Sequence, residues 1–141
     1  MRLWHEALIP YLPRQQLLGQ HRECCALRGK GWGKPHATVN YVFKHSLGRL
    51  VAYHMLVMEE MARRGYHVDE QWKLFAYRGK QYGLCPGCVD YYDVGCFVRN
   101  SQLFGWEIYP EHDSAYLAEC LDNLRNKGII LEGFDYERVG L

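Results

Sequence analysis

Apolar positions along residues 13–28 recur at helical spacing. Leu17, Leu18, His21, Cys24 and Cys25 fall on one arc, and Glu23 projects to nearly the opposite side. Gly19, one turn before Glu23, leaves that carboxylate without a shielding neighbour, and Arg22 sits between the two faces. Pro13 suits a first turn, where its missing N–H would be an orphan anyway. A second helix is predicted from Ser46, a plausible N-cap, to Arg63 and Arg64, which suit the negative end of its dipole, with Gly65 just beyond. Leu47, Leu50, Val51, Met55, Met58 and Ala62 mark its apolar face, with Met61 at the edge. At this spacing the methionines read as ordinary core. A third helix is predicted over 114–127, capped by Asp113 or Ser114, packed through Leu117, Leu121 and Leu124, and ended by Gly128.

Between these helices the pattern weakens. Residues 1–12 read as extended or irregular, with Trp4, Leu8, Ile9 and Leu12 available for packing. Val39, Tyr41 and Phe43 alternate, as in a short strand or an extended connection. Residues 69–77 suggest a short helix. Residues 78–101 hold four glycines and three cysteines and read as loop-rich, and the tail 129–141 as irregular with Phe134 and Tyr136 docked. The expected fold is all-α: one compact domain over residues 1–141, about three main helices and long loops.

Composition narrows the class. At 141 residues with 48% hydrophobic content, the chain can bury a core, and disorder is disfavoured. No apolar run approaches the ~20 residues that span a bilayer. The start, with His5 and Glu6, lacks signal-peptide architecture. A soluble, cytoplasmic monomer is expected, and its six cysteines are then expected as thiols or metal ligands rather than disulfides. Net charge is only +1, yet residues 1–66 carry ten Lys/Arg against four Asp/Glu, and residues 67–141 carry seven against twelve. Either the first half presents a basic face, or the halves neutralise each other across their interface.

Two stretches offer chemistry. Arg28, Lys30, Trp32 and Lys34 alternate with Gly29, Gly31 and Gly33, so the stretch offers backbone N–H groups, cations and an indole to phosphate and an unstacked base. The plainer reading is a helix C-cap followed by a turn. His36, close behind, suits a structural role or a DNA contact equally. Cys85 and Cys88, with Cys96 eight residues on, are weak zinc candidates that need Cys24, Cys25 or a histidine as fourth ligand. A second CxxC is missing. Free thiols or a turn suit them better.

Met1-Arg2-Leu3-Trp4, the helix with His21-Arg22-Glu23, the later His36, and the second helix leading into Arg64-Gly65-Tyr66 resemble the pyrimidine-dimer DNA glycosylases, the endonuclease V family of phage type. Tyr109-Pro110-Glu111-His112 before the last helix also fits loosely. The resemblance implies an all-α DNA-repair enzyme that joins glycosylase to abasic-site lyase activity on damaged or abasic double-stranded DNA, without a cofactor. It implies the α-amine of the mature N-terminus as nucleophile and Glu23 as acid-base residue. Arg2 and Arg22 are implied to contact damaged DNA. Arg2 is bulky and keeps Met1 in place, so the amine would be that of Met1. Ala26 stands where the family has a further arginine, and Arg28 is the cation nearest in sequence. The competing functions are a non-catalytic nucleic-acid-binding protein of the same fold and a small zinc-binding interaction protein.

Overall fold

A computed structural model describes residues 2–139 of the chain. Four α-helices carry it: α1 (Arg14–Arg28), α2 (Leu47–Arg63), α3 (Tyr91–Phe104) and α4 (Ser114–Asn126), joined by short 3-10 turns, with no strand among the described residues. No helix of the described residues is long and apolar enough to cross a membrane.

Helix α2 is the centre of the packing, flanked by α1 and α3. It is buried nearly all round, through Leu50, Val51, Tyr53, His54, Val57, Met58 and Met61 among others. A helix apolar on most faces belongs inside a bundle. At Gly48 an added Cβ would meet Val94 Cγ2 of α3 at 3.2 Å, so that crossing is tight. The end of α2 is as its sequence predicts. Gly65, at φ +81°, donates its N–H to Ala62 O, and Tyr66 donates to Met61 O, which satisfies two orphan carbonyls. Gly128 and Ile129 close α4 in the same way on Arg125 and Leu124.

Two expectations fail. Residues 36–43 form no strand. A 3-10 helix spans Asn40–Lys44, and Val39 and Val42 are buried while Tyr41 and Phe43 are only half-buried. A three-residue spacing fits a 3-10 turn, and the apparent alternation was incidental. Within the supposed loop, α3 is a full helix. Asp90 caps it by accepting from the Asp93 N–H, and Gly105 ends it at φ +67°. Its apolar residues did not mark one face, because Tyr91, Tyr92, Leu103 and Phe104 are exposed and Val94 is its one fully buried residue.

The first dozen residues are pinned rather than loose. Arg64 Nη1 donates to Leu12 O at 2.7 Å, and Nη2 donates to Pro10 O at 3.1 Å. The Glu6 carboxylate accepts the Ile108 N–H at 2.9 Å.

Candidate active site

The chain start lies against the Glu23 side of α1, opposite the arc that packs on α2. Gln20, one turn before Glu23, does the anchoring. Its Oε1 accepts the Trp4 N–H at 2.7 Å, and its Nε2 donates to Arg2 O at 2.9 Å. One carboxamide thus pairs with the chain as a neighbouring strand would. Tyr53 of α2 reinforces it, with its hydroxyl 2.5 Å from Trp4 O and 2.8 Å from Gln20 Oε1. From the other side, the Tyr116 hydroxyl of α4 donates to Leu3 O at 2.6 Å.

This clamp delivers the Arg2 backbone N–H to Glu23 Oε2 at 3.2 Å, where Gln20 Nε2 also lies at 3.3 Å. Burial raises the Glu23 carboxyl above its ordinary range, while the Arg2 N–H and nearby positive charge pull it back. Glu23 is therefore half-buried, not the unshielded carboxylate its helical position suggested. It lines a cleft of about 230 Å³ with Arg2, Trp4, Thr38, Asn123 and Lys127. The Lys127 ammonium stands 5.3 Å from the centre of the Trp4 ring. The Arg2 guanidinium lies 5.7 Å from the Tyr116 ring and 3.4 Å from Glu119. Met1 lies outside the described residues. A larger cleft of about 570 Å³ lies elsewhere, but Glu6, Glu59 and Glu60 line it with only Arg63 as cation, a poor welcome for phosphate.

At the far end of α1 the loop is built differently from its sequence appearance. Four of its N–H groups are not bare: Gly29 and Gly31 donate to Ala26 O, Trp32 to Gly29 O, and Lys34 to Gly31 O. Gly29 and Gly31 are there for closeness, since a Cβ on Gly31 would meet Ala26 O at 2.9 Å and one on Gly29 would meet Arg78 O at 3.0 Å. Trp32 is half-buried and packs edge-on against Phe43, with centroids 5.1 Å apart. Lys30, Lys34 and His36 are exposed, and so is Arg22 on α1.

Arg28 must be corrected. It is fully buried and cannot meet a phosphate. Its guanidinium donates to the carbonyls of Trp72, Leu74 and Tyr77 at 2.8–2.9 Å and to His54 Nδ1 at 2.9 Å. Burial lowers its pKa to about 10, which leaves it charged at neutral pH. It is a cation used as a multiple donor to backbone carbonyls of the segment from Trp72 to Tyr77.

The zinc reading of Cys85, Cys88 and Cys96 is overturned. Cys85 and Cys88 are joined in a disulfide, since the 3-10 turn Pro86–Cys88 brings their Cα atoms to 5.4 Å. Bonded sulfurs are not thiolate ligands, and the expectation of free thiols fails for this pair. Cys96 is free on α3. Among the described residues His21, Cys25 and His54 do bring possible metal-ligating atoms together. Arg28 fixes their protonation. Because arginine only donates, His54 Nδ1 accepts, and the neutral ring carries its proton on Nε2, toward His21 Nδ1 at 2.8 Å. Burial holds both imidazoles below their ordinary pKa and pushes the Cys25 thiol up to about 12. The group is a hydrogen-bonded chain between the arc of α1 and helix α2.

Sequence reasoning missed Gln20, Tyr53, Asn123 and Lys127. Gln20 left a signal: Leu17, Gln20, Cys24 and Leu27 form one buried stripe at helical spacing, and a carboxamide in such a stripe needs partners.

No curated protein and no solved structure matches the chain. The family model of pyrimidine dimer DNA glycosylase matches residues 1–74, which contain α1, α2 and every part of the Glu23 site except Tyr116, Asn123 and Lys127. The chain belongs to the pyrimidine dimer DNA glycosylase family.

Proposed function

We propose that this protein excises a base from damaged duplex DNA and cuts the strand at the resulting abasic site, with the Met1 α-amine as nucleophile and Glu23 as the acid-base carboxylate. The observation that carries the reading is the 3.2 Å contact between Glu23 Oε2 and the Arg2 backbone nitrogen. The α-amine is three covalent bonds from that nitrogen, so it stays within about 4 Å of it. Family membership supplies DNA as the substrate class.

An α-amine has an ordinary pKa of about 7.7–8.0, so it is partly neutral near pH 7, unlike lysine. The cations Arg2 and Arg22 favour its neutral form further. Its lone pair attacks C1′, the glycosidic bond breaks, and the base leaves with the bonding electrons and takes a proton. The C1′–O4′ bond then opens, O4′ takes a proton, and the nitrogen becomes an iminium. Glu23 offsets that positive charge and shuttles the protons. Removal of a C2′ proton expels the 3′-phosphate, and water hydrolyses the remaining imine. No oxidant, reductant or metal enters the balance. Exposed Arg22, Lys30 and Lys34 are suited to DNA phosphates, with His36 beside them.

Because burial raises Glu23 above its ordinary 4.5, cleavage, already falling as the α-amine protonates below about pH 8, should steepen its fall at a higher pH than an ordinary carboxylate would give. As pH drops through the raised value, the charge that offsets the iminium is lost. The test is Glu23→Gln. Binding to lesion duplex should persist while cleavage drops by roughly 10²–10⁴-fold. Cleavage at the parent rate would remove Glu23 from the chemistry.

A further inference from the structure

Just beyond the residues that match the family, the chain closes on itself beside the end of α1. Tyr77 and Leu84 form a β-bridge, Cys85 donates its N–H to Ala76 O at 2.8 Å, and the disulfide of Cys85 and Cys88 follows at once. Arg78 joins the parts. Its Nε donates to Arg28 O at 2.8 Å, its Nη1 to Cys88 Sγ at 3.8 Å, and its guanidinium lies over the Tyr82 ring at 5.1 Å. A cation thus sits against one sulfur of the pair, that of Cys88. The bond is also within reach of solvent. Cys85 and Cys88 are half-buried, Pro86 and Gly87 between them are exposed, and a Cβ on Gly87 would meet nothing within 4 Å. Other thiols are placed to stay inert, since burial pushes Cys24 and Cys120 up and Cys25 to about 12.

We propose that Cys85 and Cys88 form a thiol-exchange site, opened by a low-molecular-weight thiol such as glutathione through a mixed disulfide on Cys85. The thiolate of the small molecule attacks Cys85 Sγ. The S–S bond breaks, and its electron pair leaves on Cys88 Sγ as a thiolate facing Arg78. A second small thiolate then attacks the outer sulfur of the mixed disulfide and releases Cys85. Two small thiols have given up two electrons and two protons to become one disulfide. Cys85 takes one proton, and Cys88 either takes the other or stays a thiolate against Arg78. The reverse reaction restores the cross-link when the oxidised small molecule is in excess. Arg78 acts on rate and equilibrium alike. A thiolate beside a cation is the better leaving group, and a reduced form so stabilised makes the pair easier to reduce than an inert structural cross-link. None of these residues lines the Glu23 cleft, so the inference does not depend on the proposed function.

The test equilibrates the folded full chain in buffers of reduced and oxidised glutathione. Thiols are then alkylated, and the tryptic peptide 81–99, which carries both cysteines, is weighed. The pair should pass from oxidised to reduced within the span of glutathione ratios. In Cys88→Ser protein, Cys85 should hold glutathione as a stable mixed disulfide. Arg78→Met should lower the equilibrium constant for reduction by about 10-fold, equal to about 30 mV, and Arg78→Lys, which keeps the charge, should restore most of it. A parent pair that stays oxidised at every ratio, a Cys88→Ser protein that takes up no glutathione, or an Arg78→Met equilibrium equal to the parent's overturns the proposal. Should Arg78→Met fail to fold, the reduced parent decides. Its Cys88 should be alkylated with a half-point below the pH of about 8.5 that an ordinary thiol gives, and a half-point at or above that value overturns the proposal as well.

Discussion

The two ends of helix α1 invite opposite conclusions from sequence and structure. The C-terminal end, from Arg28 to Lys34, has alternating glycines and cations and looks like a phosphate cradle. Folded, its N–H groups satisfy carbonyls at the helix end and in the turn, and Arg28 turns inward. The Glu23 side looks like an ordinary solvated face. Folded, it receives the chain start, clamped by Gln20, Tyr53 and Tyr116, and becomes the wall of a cleft. Every helix must dispose of its last carbonyls, so a glycine-rich basic stretch after a helix is often spent on that need. A carboxamide and a carboxylate one turn apart, both drawn to a distant backbone, have no such local demand to explain them.

The largest expected difference between the two ends is in stability. Arg28→Leu should cost roughly 3–5 kcal/mol, because it strips donors from several buried carbonyls and from His54. Denaturant unfolding measures it. A phosphate ligand would behave the other way, with affinity lost and stability kept. At the Glu23 side, Gln20→Leu should cost less, about 1–3 kcal/mol, since it leaves Arg2 O and the Trp4 N–H unpaired. Its cleavage rate should fall by about 10-fold or more, as slight misplacement of reacting groups is costly. Unchanged cleavage in a stable Gln20→Leu protein would mean that the clamp does not position the chemistry.

The smallest effect belongs to the exposed lysines. Lys30→Ala and Lys34→Ala should each change stability by less than about 0.5 kcal/mol. Each should lower the slope of log affinity against log salt by about 1 if it contacts a phosphate. An unchanged slope would leave the loop as a helix cap and nothing more.

What was legible in the sequence followed short-range rules. The bounds of α1, α2 and α4 came from apolar spacing, from Asp113 as cap and from Gly65 and Gly128 as stops. Glu23 was reached through the order of the chain start, Arg22-Glu23 and Arg64-Gly65-Tyr66. What stayed hidden depended on contacts far apart in the chain. Arg28 looked like a surface cation because its acceptors, at Trp72 to Tyr77, lie some 44 to 49 residues away. Helix α3 was missed because Tyr91, Tyr92, Leu103 and Phe104 face outward. Asn123 could not be placed at Glu23 at all, since only the packing of α4 on the chain start brings them together. The disulfide of Cys85 and Cys88 lay within the spacing, but so did a thiolate pair.

The amine at the chain start is proposed as the nucleophile, made productive by Glu23. Borohydride reduction during reaction with abasic duplex DNA tests it most directly, because it freezes the iminium as a covalent adduct whose attachment can be mapped. The adduct should lie on the peptide that begins with Met1, and one extra residue before Met1 should abolish both adduct and cleavage. An adduct on a lysine such as Lys127, or full cleavage by the extended protein, would exclude the Met1 amine as the nucleophile.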